Sequence, residues 1–205
     1  MYISKIRFNL MKDFDNNVGR LLNDVCEMHK FVWSFFKNTN DIGVSRSNIN
    51  LLYRVIEKDD AVFVTMQSDV KPSFENVPIY VEPIYSVDDT VMISKLKKYS
   101  KLRYNILVNP VRKSFDGKRK YINSDEDKKS WFKYNLKDSG VSILSVGVKN
   151  SDFETGMRQN KKVSFGVSEL VGVLQITDFE KFYEKICKGV GHEKAYGLGM
   201  FLFGV

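Results

Sequence analysis

The chain has 205 residues, 43% hydrophobic and 28% charged, which is enough to bury a core and unlike a disordered chain. Its 32 Lys and Arg against 25 Asp and Glu give a net charge of +7. It holds no run of about 18 apolar residues and no signal-peptide pattern, so neither a membrane span nor a membrane partner is expected. Cys26 and Cys187 fit no zinc spacing, and a cytoplasmic protein with reduced thiols is the expectation.

Residues 2–9 alternate apolar and polar and predict a strand. The next stretch, DFDNNVGRLLNDVCEMHKFVWSFFKN, places Val18, Leu21, Leu22, Val25, Met28, Val32 and Phe35 at spacings of three and four, which predicts one amphipathic helix. INLLYRVIE and AVFVTMQS read as two strands joined by Lys58-Asp59-Asp60. VPIYVEPIY is apolar, but Pro78 and Pro83 push it towards an edge strand or an extended segment.

A second series begins with the strand KLRYNILVN. PVRKSFDGKRKYI then carries an Asp116-Gly117 turn signal between basic flanks, which predicts a short hairpin. Ser124 and the acids after it open a helix that Gly140 closes. VSILSVGV is a strand, and KKVSFGVSELVGVLQIT is a long strand or a hairpin bulged at Gly166 and Gly172. DFEKFYEKICKG is a capped helix and LGMFLFG the final strand. The second half therefore reads β-α-β-β-α-β, and the first half is a worn version of the same order. The fold class expected is α+β, with tandem ferredoxin-like (RRM-like) domains built on antiparallel sheets. The domains would be 1–90 and 91–205, with the boundary near 86–95.

The basicity is regional. Residues 95–137 hold 14 Lys and Arg against 4 Asp and Glu, and the rest of the chain is slightly acidic. A concentrated basic stretch suits a polyanionic partner; a lysine-rich solvated surface is the alternative. The cluster Gly189, Gly191, Gly197 and Gly199 follows a helix and opens the last strand, the reverse of a dinucleotide-binding loop. Backbone amides there, beside His192 and Lys194, fit a nucleic-acid backbone; a tight turn against the helix is the other reading.

GVGHEKAYGLGMFLF resembles the C-terminal glycine-rich loop of CRISPR repeat-processing endoribonucleases. MYISKIRFNL, DVCEMHKFVWSFF, RYNILVNPVRK…GKRK and ELVGVLQITD are similar, in the same order, to segments of the CasE family of type I-E systems. The resemblance implies two ferredoxin-like domains that cut CRISPR repeat hairpins without a metal or other cofactor. It also implies retention of the mature guide RNA within a multi-subunit surveillance complex. The family's catalytic histidine maps onto His29. Its frequent tyrosine, one helical turn earlier, is here Cys26; either this thiol fills the second catalytic place, poorly, or another group takes the role, for which Lys30, Tyr196 and Lys194 are candidates by residue type.

The chemistry fits the histidine count. RNA carries its own nucleophile, the 2′-OH beside the scissile phosphate. Cleavage to a 2′,3′-cyclic phosphate needs proton transfer, which an imidazole performs near neutral pH. It also needs charge stabilisation, which lysine, arginine or amides supply. The sequence holds two histidines, His29 and His192. RNA contacts are expected from Arg112, Lys113, Lys118, Arg119 and Lys120 of the hairpin, from Arg158, Lys161 and Lys162, and from the glycine loop. His29 beside the core, merely packed, is the structural alternative. At the level of function, a non-catalytic RNA-binding subunit and a small-molecule-binding regulator also remain open.

Overall fold

In a strand with one face on the core, alternate residues go inward, and Ile6 and Phe8 of β1 (Tyr2–Phe8) do so, at 0% and 1% exposure. The computed structural model describes residues 1–13, 16–36, 46–58, 61–88, 96 and 101–204. Most of the Lys58-Asp59-Asp60 connection and residues 89–95 of the expected boundary lie outside these.

The chain divides into two compact units. The first is Met1–Val91 together with Thr155–Val163 and Ala195–Gly197. The second is Met92–Glu154, Ser164–Lys194 and Leu198–Val205.

In the first unit β1 is followed by α1 (Asn17–Asn23), α2 (Val25–Ser34), β2 (Leu52–Lys58), β3 (Ala61–Ser68) and β4 (Val81–Asp88). The sheet order is β2-β3-β1-β4, all antiparallel. β4 is an edge strand, and its register against β1 shifts between Lys5 and Ile6, with Ile6 opposite Pro83. A bulge at an edge is where a sheet tolerates a proline, which cannot donate to the ladder. Val18, Leu21, Met28, Val32, Phe35 and Phe36 pack with Val62, Val64 and Met66 in one core.

The expected single helix over this stretch is two helices. Asp24 sits between them in extended backbone (φ −137°, ψ 104°), and its carboxylate accepts from the Cys26 and Glu27 amides as the cap of α2. The apolar spacing survives the break because both segments bury the same side. Leu21 precedes the break and Met28 follows it, and both belong to the core.

The second unit is complete. β5 (Lys101–Val108) leads to a two-stranded ribbon of β6 (Val111–Lys113) and β7 (Arg119–Tyr121). Then come α3 (Asp125–Asn135), β8 (Val141–Arg158), β9 (Lys161–Ile176), α4 (Phe179–Lys188) and β10 (Phe201–Gly204). The sheet order β10-β5-β9-β8 repeats that of the first unit, so the fold is the expected tandem ferredoxin-like arrangement. Phe132 of α3 and Phe182 of α4 are fully buried with Ile106, Leu170 and Leu174 of the sheet, and Phe201 touches the Tyr104, Phe132 and Phe182 rings. Ser124 caps α3 and Asp178 caps α4.

One reading of this half is corrected: the strand expected at VSILSVGV continues to Arg158. Of the two alternatives for KKVSFGVSELVGVLQIT, the long strand is the one formed. The basic stretch MRQNKK is therefore the tip of a long hairpin, turned by Gln159 and Asn160 at positive φ. Among the described residues no helix is long and apolar enough to cross a membrane.

Candidate catalytic site and nucleic-acid interface

In the first unit, α2 presents Cys26 and His29 one turn apart on the same side. Cys26 is 4% exposed, His29 is half-buried, and Lys30 is exposed and pairs with Glu27 at 2.5 Å. A single helical turn, Lys194–Tyr196, delivers Tyr196 to this surface. The Tyr196 ring meets the His29 imidazole edge-on, with centroids 6.0 Å apart at 80°, and its hydroxyl hydrogen-bonds the Cys26 sulfur.

Burial pushes the Cys26 thiol above its ordinary pKa, against the Tyr196 bond and the charges of Lys30 and Arg158. The thiol therefore keeps its proton at neutral pH and is no nucleophile. It is suited to holding the phenol that faces His29. Of the three residues considered by type for the missing tyrosine, Tyr196 is the one placed against both Cys26 and His29.

The tip of the β8–β9 hairpin belongs to the same unit. The Met157 amide donates to the Asp24 carboxylate at 3.0 Å, the same carboxylate that caps α2. Gly156 allows this approach, since a Cβ there would lie 2.6 Å from Asp24 Oδ1 and 3.0 Å from the Cys26 nitrogen. Arg158, Lys161 and Lys162 stand exposed on this tip, with Arg158 near enough for its charge to act on Cys26. Asp24 and Gly156 were not singled out from the sequence. Asp24-Val-Cys-Glu27 does have the spacing of a capping box, the one local signal for the break.

In the second unit the β6–β7 ribbon carries the basic cluster. Arg112 lies opposite Lys120, and Lys113 opposite Arg119. Like charges directly across a ladder are destabilising, and a two-stranded ribbon is marginal alone. Its anchor is Tyr121, whose hydroxyl bonds the Val167 carbonyl at 3.0 Å and the Ser168 hydroxyl at 2.7 Å, its ring lying on Gly166 of β9. Arg112 is drawn to Asp127 at 3.1 Å, while Lys113, Lys118, Arg119 and Lys120 are exposed. A partner with phosphates would relieve the opposed charges.

All four loop glycines have positive φ: 69° at Gly189, 82° at Gly191, 85° at Gly197 and 84° at Gly199. The Gly189 amide donates to the Lys185 carbonyl at 2.9 Å, and that of Gly199 to the Leu107 carbonyl at 2.7 Å. Lys194 Nζ closes the end of α4 on the Lys188 carbonyl at 2.7 Å. Gly191 packs on Trp131 and Gly197 on Tyr53. The loop is a tight, internally bonded turn, so the bare amides expected for a phosphate are absent at Gly189 and Gly199. His192 is exposed on it. Burial, then the charges of Arg119 and Lys194, lower its pKa against the opposing pull of Glu193.

The fold has solved counterparts. A structure of the CRISPR endoribonuclease Cse3 bound to a 19-nt RNA matches with a TM-score of 0.82 at 19% identity, over 100% of both chains. Thermus thermophilus Cse3 bound to an RNA representing a pre-cleavage complex gives 0.80 at 19% identity, again over 100% of both chains. The CRISPR-associated protein Cas6e from Escherichia coli K-12 gives 0.69 at 16% identity, over 100% of this chain and 99% of that one. No curated protein sequence matches significantly. At the level of sequence families, the one described as CRISPR associated protein matches residues 1–203, and the chain belongs to that family.

Proposed function

We propose that this protein is an endoribonuclease that binds CRISPR repeat stem-loops in a precursor RNA and cleaves them to guide RNAs, leaving a 2′,3′-cyclic phosphate. The observation that carries the reading is the meeting of Tyr196 with His29 and Cys26 of α2, in a chain of the CRISPR associated family with an RNA-binding relative's fold. In the reaction the 2′-oxygen attacks phosphorus as its proton leaves, the P–O5′ bond breaks, and the 5′-oxygen takes up a proton. His29 performs one of these proton transfers. Tyr196, held by the Cys26 thiol, hydrogen-bonds the reacting phosphate or the leaving oxygen. Arg158 supplies charge to the pentavalent state. The exposed cations of the β6–β7 ribbon and His192 take the stem's phosphates.

The domains that do this are the two ferredoxin-like halves, 1–90 and 91–205, with the β8–β9 tip and the Tyr196 turn serving the first. After cleavage the protein keeps its product as a subunit of a CRISPR surveillance complex in the cytoplasm. Solved counterparts within such complexes share this fold, one of them at a TM-score of 0.69.

Single-turnover cleavage of a repeat hairpin tests the assignment. His29→Ala is expected to lose activity and Tyr196→Phe to lose about tenfold to a thousandfold of it, with binding kept in both. Full activity in His29→Ala refutes the assignment. One observation favours the non-catalytic RNA-binding reading: the residue one turn before His29 is a buried thiol, a weak donor. That reading predicts tight binding with no cleavage by any variant.

A further inference from the structure

The outermost residue of the β6–β7 ribbon is Phe115, exposed at 112%, so that both faces of its ring are bare. The turn that presents it is closed by its own hydrogen bonds. The Ser114 amide donates to the Lys118 carbonyl at 2.8 Å, and the Gly117 amide to the Ser114 carbonyl at 2.9 Å. The Lys118 amide donates to Asp116 Oδ1 at 3.1 Å, and the Ser114 hydroxyl bonds both the Lys118 carbonyl and the Asp116 carboxylate. These bonds hold the Asp116 carboxyl below its usual range, and Gly117 takes the positive φ of 78° that closes the turn.

A phenylalanine at this point contributes nothing to the core and leaves its apolar surface in water. Lys113, Lys118, Arg119 and Lys120 surround it in sequence and register. An apolar protein surface would have to desolvate those cations, which is costly without paired charges. A nucleic acid supplies both phosphates for the cations and a flat π-face for the ring. The deep, narrow groove of an A-form stem does not admit a ring to its paired bases. The base that meets Phe115 is therefore one outside the stacked helix.

Resting on the RNA-binding reading above, we propose that Phe115 stacks on an unpaired base next to the stem, and so sets the position of the RNA along the ribbon. Stacking tolerates any base. The contact thus reads where the helix ends rather than which sequence ends it. It acts as a stop, while the cations on either side grip the backbone.

The test is a titration of a synthetic repeat stem-loop carrying 2-aminopurine at one unpaired position at a time, over a salt series. Wild type, Phe115→Ala and Phe115→Trp are compared. Phe115→Ala is expected to weaken binding about 5- to 150-fold with the salt slope unchanged. Wild type and Phe115→Trp are expected to quench 2-aminopurine at one position, and Phe115→Ala at none. Equal affinity of Phe115→Ala and wild type overturns the proposal while leaving RNA binding intact. So does a reduced salt slope in Phe115→Ala, which would mean that the ring only orders the cations. Loss of association with another protein, with RNA binding untouched, also overturns it. Failure of wild type to bind the hairpin at low salt overturns the RNA-binding reading itself, and this proposal with it.

Discussion

Asp24→Ala removes one carboxylate with three jobs. It accepts from the Cys26 amide at 2.8 Å and the Glu27 amide at 3.1 Å, and from the Met157 amide at 3.0 Å. Loss of an N-cap acceptor costs about 1 kcal/mol. Loss of the acceptor for Met157, a partly solvated bond, costs about another 1 kcal/mol. The two losses share one group, so the sum of about 2 kcal/mol is an upper expectation for a coupled pair. Urea unfolding should show an earlier midpoint with unchanged slope, and native-state hydrogen exchange should show the Cys26, Glu27 and Met157 amides losing protection together. Asp24→Asn, an equally good cap, keeps one oxygen for the Cys26 and Glu27 amides but turns an NH2 towards the Met157 amide, so it should recover the cap's share of the stability, about half, and leave Met157 unprotected. Because α2 carries Cys26 and His29, cleavage should fall in Asp24→Ala more than RNA binding. An unfolding free energy within about 0.5 kcal/mol of wild type, with Met157 still protected, would refute the view that Asp24 ties the hairpin tip to the start of α2.

Two further outcomes follow from the second unit. Arg119→Glu with Lys120→Glu should weaken hairpin RNA binding at moderate salt and reduce the slope of log affinity against log salt by about 2 or more; an unchanged slope removes the ribbon from the interface. His192 has a lowered pKa, so it is neutral in the free protein at pH 7. A phosphate beside it would raise that pKa, binding would take up a proton, and affinity should increase as pH falls from about 8 to about 6. His192→Gln should flatten that dependence, and the same pH profile in both proteins would place His192 away from phosphate.

Much of the fold was legible because it is written in local pattern. The alternation of β1, the spacing of α3 and α4 with their Ser124 and Asp178 caps, and the Asp116-Gly117 turn all report on residues close in sequence. Pro83 announced an edge strand, and β4 is one. The break at Asp24 was hidden because helices on both sides of it bury the same apolar stripe. The length of β8 was hidden because its far end, from Asn150 to Arg158, is largely exposed and lacks an apolar rhythm. The candidate site was half legible. His29 stood out by its chemistry and by the family resemblance, whereas the choice of Tyr196 among the candidates needed a contact across about 170 residues of chain. The glycine loop misled in part, since glycines that accept positive φ look alike whether they cradle a phosphate or close a turn on α4.

The most direct test of the central claim is incubation of the cognate repeat hairpin with purified protein in EDTA, wild type beside His29→Ala, with the ends of the product analysed. The account predicts one cut by wild type, a 2′,3′-cyclic phosphate on the upstream fragment, and no cut by His29→Ala despite equal binding. Equal cleavage by both proteins, or tight binding with an intact hairpin in both, would contradict it.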